Sequence, residues 1–266
     1  MSPDAAGDTF GYENRAQFYD AEYPETRDHG FLASMIEQPN SRVLIVPGGT
    51  GTTALALGAM FPDCVIHSVD IEDEMVAKAS ARFQASGSSN LVSVWGDMTR
   101  LEIDGPFDRV FVAREAFQML PDDSTALSCL KALKRQLSNG GKIILDVANF
   151  DAPDAHSDLN YYDGNRTDGV RYLDCIQDFD GGHVTRHATQ FLDPSGQRRF
   201  QFDYELRPQA GGPATQFSAQ LSLRKYSLPA LAALIDAASL SVSQILGNYD
   251  GSPFTPDSPR ICCLLR

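Results

Sequence analysis

The residues best suited to do chemistry form a glycine-rich turn between a predicted strand and a predicted helix. Val43 to Val46 is a short apolar run typical of a buried strand, and Pro47-Gly48-Gly49-Thr50-Gly51 follows it directly. Glycines let a backbone approach a bound group closely, and the free N–H groups at a helix start favour an anionic or polar ligand. The pattern predicts a ligand-binding loop, although a tight turn without a ligand has the same composition.

Two aspartates end the next two predicted strands. Asp70 follows the apolar run from Val65 to Val69, where a carboxylate can accept hydrogen bonds from both hydroxyls of a ribose. Asp97, within Gly96-Asp97-Met98, follows the third run and could accept the amino group of an adenine. These positions predict a nucleoside site. Because Gly49-x-Gly51-x-x-Ala54 also satisfies a dinucleotide fingerprint, a nicotinamide-dependent reductase is an alternative.

These residues need a sheet that brings strand ends to one edge. Apolar strand-like runs alternate with helix-like segments from residue 43 to residue 147, which predicts a parallel sheet covered by helices on both faces. A helix from Leu228 to Ala238 and strands from Leu240 to Leu246 and from Arg260 to Leu265 close the chain. The predicted strands of the first part are 43–46, 65–69, 91–95, 107–113 and 142–147, and its helices are 53–61, 73–83 and 125–137.

Between these two parts the pattern changes to alternating polar and apolar residues. Four such segments, joined by glycine-containing turns, predict an antiparallel insertion that serves as a lid or as an oligomer interface. Before the sheet, aromatic residues at helical spacing predict two short helices, broken at Pro24. The chain is therefore divided into an N-terminal helical lid (1–40), a ligand-binding core (41–148), the antiparallel insertion (149–226) and a closing part of the core (227–266).

Composition narrows the choice of partners. A net charge of −13 repels nucleic acids and anionic membranes and favours a small neutral or cationic acceptor. The chain has no apolar run long enough to span a membrane and no signal-peptide pattern at its N-terminus, and its five cysteines form no CxxC pair. We expect a cytoplasmic protein that binds neither nucleic acid nor membrane. The histidines have no metal-ligand spacing, so no metal site is expected.

Taken in order, these features resemble class I S-adenosylmethionine-dependent methyltransferases over roughly residues 12 to 148 and 217 to 266. The resemblance implies a Rossmann-like α/β fold with a seven-stranded sheet, and S-adenosylmethionine as cofactor. It further implies roles for individual residues: Gly48, Gly49 and Gly51 lie against the methionine part, Asp70 holds the ribose, Ile71 packs on the adenine, and Asp97 with Met98 binds the adenine edge.

The chain departs from that family at two positions. Ile45 stands where the family usually has an acidic residue, and Pro47 stands where it usually has a first glycine. The acidic residue commonly helps to position the amino group of the cofactor, so another group must make that contact here. A catalytically silent member that acts as a binding partner is therefore a further alternative.

The N-terminal segment also resembles glycine, sarcosine and amino-sugar N-methyltransferases. That resemblance implies that Tyr19 closes over the reactive methyl group and that Arg27 pairs with the carboxylate of the cofactor, for which a guanidinium suits because it can bind bidentately. The alternatives are a core aromatic for Tyr19 and a solvated surface charge for Arg27.

The stretch from Ala113 to Leu120 follows the fourth predicted strand, at the sheet edge where ligands of open α/β folds bind. In the family it borders both the methionine moiety and the acceptor, which makes Ala113 a cofactor contact and Glu115 and Phe117 candidates for the acceptor wall. Phe117 is equally compatible with a packing role. The loop Tyr161-Tyr162-Asp163 either covers the acceptor or is a surface loop that its two tyrosine rings anchor to the protein.

The sequence favours an amine as the methyl acceptor. Transfer from a sulfonium requires mainly alignment and exclusion of water, and an amine needs only to lose its proton before it attacks. An oxygen acceptor would need a base, for which His29 near the predicted lid is the histidine to test. We expect small-molecule N-methylation in natural-product (antibiotic) biosynthesis, with Tyr19 and Phe117 orienting the reactants, and O-methylation of a sugar or polyketide as the alternative.

Overall fold

The computed structural model describes residues 11–24, 26–152 and 162–266. Three short helices come first, followed by a segment in which strands and helices alternate, then four long antiparallel strands and a closing helix with two strands. The helices are α1 (Tyr12–Arg15), α2 (Tyr19–Glu22), α3 (Arg27–Ser34), α4 (Thr52–Met60), α5 (Asp73–Ser86), α6 (Asp123–Arg135) and α7 (Leu228–Ala237). The strands are β1 (Arg42–Ile45), β2 (Val65–Asp70), β3 (Leu91–Trp95), β4 (Phe107–Val112), β5 (Leu137–Ala148), β6 (Tyr172–Phe179), β7 (Gly182–Leu192), β8 (Arg198–Pro208), β9 (Thr215–Leu223), β10 (Val242–Leu246) and β11 (Arg260–Leu265).

Seven strands form the main sheet in the order β10-β11-β5-β4-β1-β2-β3. Strands β1 to β5 pair in parallel, whereas β11 runs antiparallel to β5 and to β10. Because the parallel strands all end at one edge, the glycine loop, Asp70 and the residues after β3 and β4 share that edge. The predicted class I methyltransferase fold, with its seven-stranded sheet and antiparallel insertion, is confirmed.

Alternate residues of β1 show how the main sheet is covered. Val43 and Ile45 belong to an apolar cluster with side chains of α3, α4 and α5, whereas Leu44 belongs to a second cluster with side chains of α6 and α7. A strand whose successive side chains point to opposite faces must be apolar throughout when helices cover both faces. This explains the uninterrupted apolar runs in the sequence.

The second sheet has the order β6-β7-β8-β9, and its strands confirm the predicted insertion. Every second residue of β7 is buried, from Gly182 to Gln190. Phe18, in the turn before α2, is 1% exposed and contacts the rings of Phe179 and Tyr204 on the inner face of this sheet. Its burial accompanies a break in the N-terminal helices that was not predicted, so that three short helices replace the expected two.

Two further differences concern the main sheet. Residues Ala116–Met119 form a 3₁₀ helix that the sequence pattern did not predict. Strand β5 begins at Leu137 rather than at Lys142 and includes the turn residues Gly140 and Gly141. Among the helices of the described residues, none is long and apolar enough to cross a membrane.

A buried group of charges joins the ends of β4, β5 and β11. Arg260 is 0% exposed; its Nη1 lies 2.7 Å from Glu115 Oε1, and its Nε donates to Asp146. The hydroxyl of Tyr249 donates to Asp146 Oδ2 at 2.8 Å. Both carboxylates therefore depend on one guanidinium.

Replacing Arg260 by Met should strongly destabilise the fold, because it leaves two buried carboxylates without their cation. We expect the free energy of unfolding, measured by urea denaturation, to fall by about 3–5 kcal/mol. The matched control is Arg207→Met, which removes an exposed arginine paired with Glu205 on the second sheet and should change stability by less than about 1 kcal/mol. Similar losses in the two variants would show that burial of the cluster is not the cause.

Candidate active site

The turn between β1 and α4 packs so closely against β2 that only glycine fits at position 48. A β-carbon on Gly48 would lie 2.1 Å from Ser68 Oγ and 2.9 Å from Val69 N. The Gly48 N–H donates to Val69 O at 2.7 Å. Gly49 and Gly51 have φ angles of +54° and +80°, in the left-handed region that favours glycine. Close packing therefore requires glycine at position 48, and the backbone conformation favours glycine at positions 49 and 51.

Asp70 connects this loop to the end of β2. It is 7% exposed, and its Oδ2 accepts the N–H of Gly49 at 2.8 Å while Oδ1 accepts the N–H of Glu72 at 3.1 Å. Burial raises the pKa of Asp70, and these two backbone donors oppose the rise. The structure therefore brings together the glycine loop and the first predicted aspartate.

An exposed apolar ledge lies beside Asp70. Ile71 is 48% exposed and Trp95, the single tryptophan of the chain, is 51% exposed. The indole N–H of Trp95 donates to Ile71 O at 2.7 Å, which holds the ends of β2 and β3 together. Nothing in the sequence pattern separated Trp95 from an ordinary strand residue. Its position makes it a fluorescent reporter for the predicted adenine site.

Asp97 lies at the end of β3, as expected, but part of its carboxylate serves a turn. Its Oδ1 accepts the N–H of Thr99 at 2.8 Å, and its Oδ2 lies 3.1 Å from Nε of Arg100. Met98 is partly buried against the main apolar cluster. The N–H of Gly96 donates to Asp70 O at 2.9 Å, so the segment that carries Asp97 is fixed next to Asp70.

Helix α2 lies against the glycine loop. A β-carbon placed on Gly49 would lie 4.0 Å from Cε1 of Tyr19, so the tyrosine ring bounds the space above this glycine. The neighbouring Asp20 accepts hydrogen bonds from Thr50 Oγ1 and from Arg82 of α5. Burial would raise the pKa of Asp20, but these hydrogen bonds, with the charges of Lys78 and Arg82, lower it. The contact with Arg82 was not predicted, since 62 residues separate the partners.

Arg27 is exposed at the first residue of α3, and the buried charge of this helix is the next residue, Asp28. Asp28 accepts two hydrogen bonds from Arg114, from Nε at 3.0 Å and from Nη2 at 2.6 Å, which makes the pair bidentate. The pair attaches α3 to the exit of β4.

His29 follows Asp28 in α3, and its Nε2 lies 3.2 Å from Thr53 Oγ1. Burial lowers the pKa of His29, the charge of Arg114 lowers it further, and Asp28 opposes the change.

The exit of β4 is strained. Ala113 is half-buried directly after the strand, and the next two residues, Arg114 and Glu115, have φ angles of +54° and +59° although neither is glycine. Such backbone conformations cost energy and cluster at functional sites. The N–H of Arg114 donates to Asp146 Oδ2 at 3.1 Å, which helps to hold this conformation.

The two predicted acceptor-wall residues lie away from any open surface. Glu115 is 6% exposed and pairs with Arg260, so it belongs to the buried charges instead. Phe117 is 0% exposed, and its ring centroid lies 5.4 Å from that of Tyr226. For Phe117 the geometry favours the packing alternative.

The loop after β5 is partly outside the described residues, and Tyr161 lies there. Tyr162 is 8% exposed and its hydroxyl donates to Asp168 at 3.0 Å, which favours an anchoring role.

His183 and His187 lie on the outer face of the second sheet, and Nδ1 of His183 is 2.6 Å from Asp178 Oδ1. Within the ranges that the structure describes, no group of three or more His, Cys, Asp or Glu side chains could hold a metal ion.

Comparison with known proteins identifies this arrangement. Residues 43–141 match the family described as a methyltransferase domain. The fold of the chain is that of the class I methyltransferases. No curated protein matches the chain. The solved structure of the amino pentose methyltransferase CalS10 contains bound S-adenosylmethionine.

Three solved structures show how far the likeness of this chain extends. An S-adenosylmethionine-dependent methyltransferase from Clostridium acetobutylicum has a TM-score of 0.73 and 17% identity over 96% of this chain and 98% of its own. The CcbJ methyltransferase from Streptomyces caelestis has a TM-score of 0.71 and 18% identity, over 97% of this chain and 98% of its own. CalS10, an amino pentose methyltransferase from Micromonospora echinaspora, has a TM-score of 0.65 and 20% identity, over 93% of this chain and 96% of its own. At these identities the likeness shows the fold alone.

The residues at this sheet edge fit S-adenosylmethionine. Gly49 leaves an open cradle beside the backbone, the carboxylate of Asp70 stands at the end of β2, and Ile71 offers an exposed apolar surface. Ile45, which replaces the usual acidic residue, is 4% exposed within the apolar cluster of α3 and α4. The amino group of the cofactor therefore finds no carboxylate at position 45.

Substituting Gly48 by Ala should displace the glycine loop from β2, because the new methyl group overlaps Ser68 and the backbone of Val69. We expect a loss of about 1–3 kcal/mol in the free energy of unfolding and weaker binding of S-adenosylhomocysteine. The control is Gly30→Ala in α3, where the described residues place no atom within 4 Å of the new β-carbon apart from the neighbouring backbone of the helix. It should stabilise the helix by about 0.5–1 kcal/mol. Equal destabilisation by both substitutions would refute the crowding explanation.

Substituting Asp70 by Asn should weaken binding of S-adenosylhomocysteine by about 1–3 kcal/mol, because the ribose hydroxyls lose a charged acceptor. The ionised carboxylate is the better acceptor, so affinity of the wild-type protein should fall as pH falls through the raised pKa of Asp70. The Asn variant should lack this dependence. Asp63→Asn, at an exposed position just before the same strand, is the control. Unchanged affinity in calorimetry would remove Asp70 from the site.

Proposed function

We propose that this methyltransferase transfers a methyl group from S-adenosylmethionine to an amine of a small molecule. The observation that carries the proposal is the hydrogen bond between Asp70 and the N–H of Gly49, which joins the ribose acceptor to the glycine cradle. Gly48, Gly49 and Gly51 would hold the methionine part, with the backbone of Ala113 beside it. Ile71, Asp97 and Met98 would hold the adenine. Arg27 is the proposed partner of the carboxylate.

When bound, the cofactor supplies a methyl group on a sulfonium, an electrophile that needs no further activation. The protein must align the acceptor with it and exclude water. We assign this role to Tyr19, which is supported by the position of its ring at the space above Gly49. Its contribution would be steric and orienting, with no proton exchanged.

An amine acceptor is supported by charge. The net charge of −13 attracts protonated amines, and such an acceptor needs only to lose its proton before it attacks. The likeness to CalS10, an amino pentose methyltransferase, supports an amino-sugar type of acceptor and a place in natural-product biosynthesis. Because this support comes from the likeness in fold, the acceptor itself is the quantity to test.

One observation favours the alternative, O-methylation. His29 is half-buried, its lowered pKa keeps it neutral near pH 7, and it lies next to the buried Asp28. A neutral histidine can act as a general base toward a hydroxyl group. Activity would then depend on His29 and fall at acidic pH as the histidine becomes protonated.

The test combines donor binding with a matched pair of acceptors. Calorimetry and Trp95 fluorescence should both detect binding of S-adenosylmethionine and S-adenosylhomocysteine, with NADH as the control ligand. An amino sugar and the corresponding hydroxyl sugar are then compared by mass spectrometry for the gain of one methyl group. Methylation of the amine, unaffected by His29→Gln, is the expected result. Methylation of the hydroxyl alone would favour the alternative, and absence of donor binding would refute both.

A further inference from the structure

The carboxylate of Glu22, at the end of α2, is buried within the second sheet. Its side chain is 1% exposed. Arg15 donates from Nε to Oε2 at 3.1 Å, the hydroxyl of Tyr204 donates to Oε1 at 2.6 Å, and Arg186 of β7 donates to Oε1 as well. This carboxylate therefore has partners both from its own segment and from the sheet.

Charges in this cluster balance. Arg15 and Arg186 face Glu22 and Asp174, with Nη2 of Arg186 lying 2.5 Å from Asp174 Oδ2. Side chains of both arginines are less than a tenth exposed. Buried ion pairs of this kind resist the loss of one partner, since the remaining charge is left without compensation. One end of α2 is thus firmly attached to the second sheet.

The other end of α2 is attached to the glycine loop and to α5, which lie beside the main sheet. Asp20 binds Thr50 of the glycine loop and Arg82 of α5, and 29% of its side chain is exposed. Two carboxylates only two residues apart consequently face different sheets. Helix α2 is the element through which the second sheet is connected to the glycine loop.

Aromatic rings continue this connection to the site. The hydroxyl oxygen of Tyr23 accepts a hydrogen bond from Nη2 of Arg15 at 2.9 Å and another from Nη1 of Arg186 at 3.1 Å. The ring centroids of Tyr23 and Tyr19 lie 4.9 Å apart, and Tyr19 bounds the space above Gly49. A continuous series of contacts therefore runs from β7 to the glycine loop.

We propose that Arg186 is a positioning residue for the methyl-donor site: it acts through Glu22 and Tyr23 to hold Tyr19 over Gly49. This inference rests on the proposed function. The second sheet would then contribute to donor binding. Loss of Arg186 should matter only as long as Tyr19 is present to be positioned.

A double-mutant cycle tests this dependence with S-adenosylhomocysteine as the probe and calorimetry as the readout. Arg186→Lys keeps a buried positive charge but cannot serve Glu22, Asp174 and Tyr23 together. We expect it to raise Kd by about fivefold or more in the wild-type background and by less than about twofold in a Tyr19→Ala background. Tyr204→Phe, which removes one hydrogen bond to Glu22, should show the same dependence on Tyr19 with a smaller effect and decides the test if Arg186→Lys does not fold.

Arg171→Lys is the matched control, because Arg171 forms an ion pair with Asp203 at 3.2 Å at an exposed position of the same sheet. It should leave Kd unchanged in both backgrounds. Equal fold-losses for Arg186→Lys with and without Tyr19 would mean a structural role and would overturn the inference, as would no loss in either background. If the wild-type protein does not bind the probe, the proposed function fails as well, whereas binding with additive losses refutes the inference alone.

Discussion

A buried carboxylate costs several kcal/mol of solvation unless a cation and hydrogen-bond donors accompany it into the interior. Three such carboxylates hold the elements around this site. Asp146 meets Arg260 between β5 and β11, Asp28 meets Arg114 between α3 and the exit of β4, and Glu22 meets Arg186 between α2 and β7. Each pair is satisfied only in the complete fold, so each fixes one connection at the carboxyl edge of the main sheet.

This constraint explains how a strained segment persists beside the site. Arg114 and Glu115 adopt left-handed backbone conformations that favour glycine, and both have their side chains or N–H groups bound by buried partners. The 3₁₀ helix that follows places Phe117 in the core against Tyr226. The turn after β4 is therefore shaped by charges from three other elements, and these leave Ala113 next to the glycine loop.

Local patterns were sufficient to predict the sheet, the insertion and the glycine loop, because each depends on residues close in sequence. Apolar runs defined the buried strands, and Gly48 was recognisable from its place between strand and helix. The outcome at Glu115 and Phe117 was different, since burial of these side chains depends on Arg260 and Tyr226, more than 100 residues away. In α3, the charge that points inward is Asp28 rather than Arg27, because successive helical residues are rotated by about 100°. Residue types alone do not fix that rotation.

The position of the insertion follows from the direction of the strands. β5 runs parallel to β4 and ends at the carboxyl edge, so a segment inserted after β5 must leave the main sheet where ligands of open α/β folds bind. The described part of the second sheet then contacts the N-terminal segment through Phe18, whose ring lies 5.8 Å from that of Tyr204. Helix α2 is held between the two sheets and carries one acidic residue for each. An element of four residues, too short to be stable alone, is thereby fixed over the glycine loop by contacts that only the assembled fold provides.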